Sequence, residues 1–163
     1  MIQATARVLK NIIEIQVGDE TWTCRPVESE QPGLGQRIAS LFSTDYVTYR
    51  SSALGEVHST VSYRAKIDEI RIQVGEDHWR TQSSTFGPMT IEYGGVLFTI
   101  NERLTGRFVI LRGADPVAVG QLGFRSCVIQ DYPADLEIFL ANLSLGYVIR
   151  TLTWEMFGWG GGR

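Results

Sequence analysis

From Asp131 to Leu152 the chain reads DYPADLEIFLANLSLGYVIRTL, and at 100° per residue its apolar side chains fall on every side of a helical wheel. Leu136, Ile138, Phe139, Leu140, Ala141, Leu143, Leu145, Tyr147, Val148 and Ile149 leave two narrow polar rows. One row holds Asp135, Asn142, Gly146 and Arg150, the other Glu137 and Ser144. A helix that is apolar all round is a buried helix. Pro133 suits a first turn, where its missing amide proton has no partner to lose. Asp131 or Tyr132 is the expected cap, Asp131 being chemically the better. The uncharged run Ile138–Ile149 makes about 18 Å of helix, short of the roughly 30 Å of a bilayer core, so the pattern predicts a core helix and no transmembrane segment.

The rest of the chain alternates with a period of two. Ile13–Trp22 reads IEIQVGDETW and Ile70–Trp79 reads IRIQVGEDHW, a repeat at an offset of 57 residues with six identities. In each copy Ile, Ile and Val alternate with polar residues, which gives a strand with one inward face. Gly18 and Gly75 then provide the backbone freedom of a tight turn, and Trp22 and Trp79 begin or join the returning strand. A third hairpin is expected over Arg107–Leu122, where FVILR and PVAVGQL flank Gly-Ala-Asp.

Further short strands are expected at Asp45–Arg50, Glu56–Arg64, Met89–Tyr93, Val96–Asn101 and Phe124–Gln130. Glu28–Gly35 reads as a loop and Gln36–Phe42 as a turn or two of helix. Many short strands with Gly-rich turns indicate an antiparallel barrel or sandwich. The expected division is one domain over 1–157 and a flexible Gly-rich tail over 158–163.

Composition changes this picture little. The net charge of -3 and a pI near 5.4 argue against a nucleic-acid partner. Cys24 and Cys127 stand alone, with no CxxC pair, so two reduced thiols are expected, with no disulfide framework and no metal site. Arg7 and Lys10 interrupt any apolar run at the start, which is unlike a secretory signal, and a cytoplasmic protein is the default expectation.

Candidate chemistry is sparse. Glu56 and His58 share one face of a strand while Ser59 points to the other, so the three do not converge. His78 has no second histidine beside it. Asp19, Glu20, Glu76 and Asp77 occupy hairpin tips, whereas acid–base work needs carboxylates held in a cleft. Gly33 and Gly35 lack the context of a phosphate loop. The residues therefore assign no catalytic, metal or cofactor site. Two basic stretches, Arg64, Lys66 and Arg71, and Arg103, Arg107 and Arg112, are candidates for anionic lipid phosphates.

Repeated hairpins closed by one apolar C-terminal helix, with GRFVILRGADPVAVGQL followed by YPADLEIFLANLSLGYVIR, resemble the tubby C-terminal-like group, which includes the LURP-one-related proteins and the phospholipid scramblases. The resemblance implies a closed antiparallel barrel of about twelve strands around a central helix over Pro133–Leu152. The chain lacks the Cys-rich segment and calcium loop of scramblases and the strongly basic patch of tubby proteins. The expected function is a non-enzymatic binding module for an anionic membrane surface or a protein partner. A lipocalin-like carrier with a ligand inside the barrel is the first alternative, and an enzyme the second.

Overall fold

The computed structural model describes residues 1–27, 47–54, 57–64, 67–83 and 88–155. The expected loop at Glu28–Gly35, the helical turns at Gln36–Phe42, Glu56, Lys66 and the Gly-rich tail lie outside them. Twelve strands form one antiparallel barrel: β1 (Ile2–Arg7), β2 (Ile12–Val17), β3 (Glu20–Pro26), β4 (Val47–Leu54), β5 (Val57–Arg64), β6 (Glu69–Val74), β7 (Asp77–Gln82), β8 (Met89–Tyr93), β9 (Val96–Glu102), β10 (Arg107–Arg112), β11 (Asp115–Gly123) and β12 (Ser126–Gln130). Each strand pairs with its neighbours in sequence, and β1 closes the circle on β12 with Ile2 opposite Ile129 and Ala4 opposite Cys127. Closure removes the edge strands that would otherwise invite aggregation.

The three hairpins read from the sequence are β2–β3, β6–β7 and β10–β11, so they recur every four strands around the barrel. Their two-residue loops begin with Gly18, Gly75 and Gly113, each at positive φ. A positive φ at the first loop position alone is the type II′ form, whose twist matches the flanking strands. Ile15 stands opposite Trp22 and Ile72 opposite Trp79, the same register in both copies of the repeat.

A 3₁₀ turn (Ala134–Leu136) leads into one α-helix, α1 (Glu137–Glu155), which runs three residues beyond the expected end. Its residues from Phe139 to Ile149 are all buried. Contacts come from around the wall: Gly146 meets Ile70 of β6, Phe139 stacks on Tyr93 of β8, Tyr147 stacks on Phe108 of β10, and the backbone lies against β1, β2, β5 and β12. The helix threads the barrel and is its core. Buried polar groups on it are satisfied locally, Asn142 donating to Ile138 O at 2.8 Å and Ser144 to Ala141 O at 2.7 Å.

Two expectations need correction. Neither Asp131 nor Tyr132 caps the helix. Pro133 holds the cap position of the 3₁₀ turn in an extended conformation with no side-chain cap bond. Asp131 instead turns the chain at φ 54°, and the Tyr132 hydroxyl lies 3.3 Å from both the N-terminal amine and a Glu137 carboxylate oxygen. The first strand, Ile2–Arg7, is an element that the hydrophobic pattern did not announce.

Candidate functional site

Because every strand reverses direction, the connections sort into two ends. At the hairpin end lie the tight turns of β2–β3, β6–β7, β8–β9 and β10–β11 and the entrance of α1. This end carries Asp19, Glu20, Glu76, Asp77, Asp115, Asp131, Asp135 and Glu137. Asp19, Glu20, Glu76 and Asp77 are thus exposed at hairpin tips, as expected, and spread over separate turns. At the opposite, loop end lie the β1–β2, β5–β6, β9–β10 and β11–β12 connections and the exit of the helix.

The loop end has the opposite character. Of the ten exposed large hydrophobic residues among the described ones, five sit on its connections: Val8, Leu9, Ile67, Leu104 and Phe124. Leu9 is fully exposed, Leu104 is 86% exposed and Phe124 75%. Interleaved with them are Arg7, Lys10, Arg103, Arg107 and Arg125. Two of these cations are built into the turns. Arg103 N–H donates to Arg107 O at 2.7 Å, closing the β9–β10 connection around Leu104. Arg125, at φ 58°, lies over the Phe124 ring at 4.6 Å.

Beneath this face the helix exit is fixed by an ion cluster. Arg150 donates through Nε and Nη2 to both oxygens of Asp68, at 2.9 and 3.0 Å, and through Nη1 to Glu102 at 2.7 Å. Tyr63 donates its hydroxyl to the same Asp68 at 2.9 Å. Burial works against charge on Arg150, but Asp68 and Glu102 outweigh it and hold its pKa above the ordinary arginine value. The cluster ties Asp68 of the β5–β6 connection and Glu102 at the end of β9 to α1. Separations of 82 and 48 residues hid it from local reading.

The two predicted basic stretches are rearranged. Arg103 and Arg107 stand together at the loop end, but Arg112 is at the far end of β10, over the Phe98 ring and 3.5 Å from Asp135. Arg64 closes β5 at the loop end, and Lys66 lies outside the described residues. Arg71 faces outward from the middle of the wall, paired with Glu69 at 2.6 Å. Ser59 is buried inside the barrel opposite Ser51, while His78 is exposed on the outer wall. Ser59 and His78 thus stand on opposite faces of the wall and do not converge, while Glu56 and the side chain of His58 lie outside the described residues.

Cys24 and Cys127 are unlinked and buried. Burial pushes the Cys24 thiol up to about 12, a hydrogen bond with Ser51 offsetting part of the rise. Cys127 is raised further by burial, with Glu102 adding to it. Among the described residues no helix is long and apolar enough to cross a membrane. No family model, curated protein or solved structure matches the chain.

Proposed function

We propose that the protein is a non-enzymatic membrane-binding module that docks end-on, with its loop end against an anionic phospholipid surface and its acidic hairpin end facing away. The observation that carries this reading is the grouping of Leu9, Leu104 and Phe124 with Lys10, Arg103, Arg107 and Arg125 at one end of the barrel. Apolar tips enter the boundary between headgroups and acyl chains, and the cations between them meet lipid phosphates. Each basic residue near such a surface is worth about 1 kcal/mol. Each buried Leu or Phe is worth about 1.5–3 kcal/mol. The gross attraction is then of the order needed for micromolar affinity before association costs.

The barrel interior favours this reading over a carrier, because the space where a carrier would hold its ligand is taken by Phe139–Ile149 of α1. Kinship with the tubby C-terminal-like group belongs to the same proposal, since a twelve-strand barrel threaded by a helix is the layout that the resemblance implies.

Vesicle cosedimentation tests it. Binding is expected to vesicles containing phosphatidylserine and not to phosphatidylcholine alone, and to weaken as salt rises because exposed charges are screened beyond about 8–10 Å. Arg103→Glu with Arg107→Glu, or Leu104→Ser with Phe124→Ser, is expected to remove most of the binding, while Asp19→Lys with Asp115→Lys leaves it intact or strengthens it. No binding to phosphatidylserine vesicles at low salt overturns the membrane reading and leaves a protein partner for the same face.

A further inference from the structure

A second feature, unrelated to the loop end, lies on the outer wall. On β5, β6 and β7 the inward residues alternate with Thr60 and Ser62, Arg71 and Gln73, and His78 and Arg80, which line a shallow depression of about 490 Å³. The strand registers place Ser62, Arg71 and Arg80 in one cross-strand row and Thr60, Gln73 and His78 in the next. Arg71 is thus directly opposite Arg80. Like charges in that position repel, and a sheet gains nothing from them on its own.

The arrangement is not isolated. Arg25 of β3 is likewise directly opposite Arg50 of β4, and Arg50 is opposite Thr60 at the edge of the same depression. Four arginines and a histidine therefore face outward from four of the five adjacent strands β3–β7, in a protein whose net charge is negative. Two carboxylates stand among them: Glu69, bonded to Arg71 at 2.6 Å and itself nearly buried, and the exposed Glu92 of β8, which lines a neighbouring depression with His78 and Arg80.

We infer that this depression is a binding site for a doubly charged oxyanion, the phosphate or sulfate ester group of a molecule in solution. Two guanidinium forks on adjacent strands approach one group from two sides, which suits a tetrahedral anion with several acceptor oxygens. The Thr60 hydroxyl supplies a further donor, as do the Ser62 hydroxyl when it accepts from Thr48 at 2.9 Å and the second amide proton of Gln73, whose Nε2 also donates to Gly75 O at 3.3 Å. An anion between Arg71 and Arg80 turns their mutual repulsion into two attractions, so binding and stability are coupled.

The source of the anion follows from position. Arg71 and Arg80 are each the third residue from the loop end of their strands, and Gln73 and His78 lie two residues beyond, so at about 3.3 Å per residue the site spans roughly 7–14 Å above that end and opens sideways. A headgroup in a membrane plane against the loop end stays below it. The solution source rests on the docking reading, but the anion site does not.

The probes are inorganic phosphate and inorganic sulfate, titrated against chloride at constant ionic strength and followed by amide chemical shifts. Saturable shifts confined to residues 60–62, 71–73 and 78–80 are expected. Arg80→Gln should weaken them about tenfold or more while leaving the unliganded protein as stable as before or more so. Phosphate should raise the melting temperature of the wild type and not of Arg80→Gln. Shifts that do not saturate, or that are as large at Lys10, Arg103 and Arg107, overturn the site. If Arg80→Gln instead abolishes binding to phosphatidylserine vesicles, the wall is a lipid contact, and the solution source and end-on docking are overturned together, whereas failure of the phosphate titration alone overturns only the anion site.

Discussion

Gly146 of the helix lies directly against Ile70 of the barrel wall: a methyl group on its Cα would stand 2.4 Å from Ile70 Cγ2. Ile70 opens the second copy of the repeated hairpin, so the contact joins the two features that the sequence displays most plainly. The wheel position of Gly146 in a polar row is thereby explained as a place where the helix lies close against the sheet.

In an ordinary helix interior Gly→Ala gains about 1 kcal/mol. Here the added methyl meets a β-branched side chain fixed in a strand, and overpacking of that kind costs about 1–3 kcal/mol. Gly146→Ala is expected to lower stability in urea unfolding. In an Ile70→Ala background, which removes the obstructing methyl, the same substitution is expected to be neutral or stabilising. A stabilising Gly146→Ala in the wild-type background would contradict the close approach.

Much of this fold is legible in the residues because its signals are local. Eleven successive buried positions from Phe139 to Ile149 write their burial into composition, and Gly18 and Gly75 mark turns that need positive φ. The first strand is not legible in the same way. Its inward positions are Ile2, Ala4 and Ala6, two of them small, and its closing partner β12 is more than 100 residues away. The loop-end face is the property least open to reading, because Leu9, Leu104 and Phe124 meet only once the circle of strands decides which connections share an end. Arg103, Arg107 and Arg112 are close in sequence, but a strand of six residues carries Arg112 to the acidic end.

The Arg150 cluster supplies a second prediction. Removing one partner from a largely buried ion cluster costs about 3–5 kcal/mol, and somewhat less where, as with Asp68 and Glu102, the remaining carboxylates retain some access to water. Arg150→Met is expected to cost about 2–4 kcal/mol. Adding Asp68→Asn and Glu102→Gln should recover most of that loss. Asn is the appropriate replacement at 68, where φ is 48° and few other residues fit. If the triple variant is no more stable than Arg150→Met, the cost came from lost packing and not from stranded charge.

The thiols give a pH dependence. Burial raises both folded pKa values above the ordinary thiol value, so the folded state keeps protons that the unfolded chain releases. Their contribution is fully present below about pH 9 and is lost as pH rises toward about 12. Stability should fall by about 1.4 kcal/mol per pH unit for each thiol in that window. Tyr147 and Tyr132, also raised by burial, add to the slope as pH approaches and passes 10, so Cys127→Ala is compared with the wild type over the same range and should reduce the slope by up to about 1.4 kcal/mol per pH unit. An unchanged slope would show that other groups control it.

End-on docking is tested most directly by depth. Because Cys24 and Cys127 are buried, a cysteine introduced at Leu104 or at Ala114 can be labelled selectively with a fluorophore. The 19-residue helix that joins the two ends of the barrel spans about 28 Å, well beyond the reach of one label. On phosphatidylserine vesicles carrying a quencher confined to the acyl region, the label at 104 is expected to be quenched, and the label at 114, in the β10–β11 turn, is expected to keep its full intensity. Equal quenching at both ends, or quenching at 114 alone, would contradict docking through the loop end.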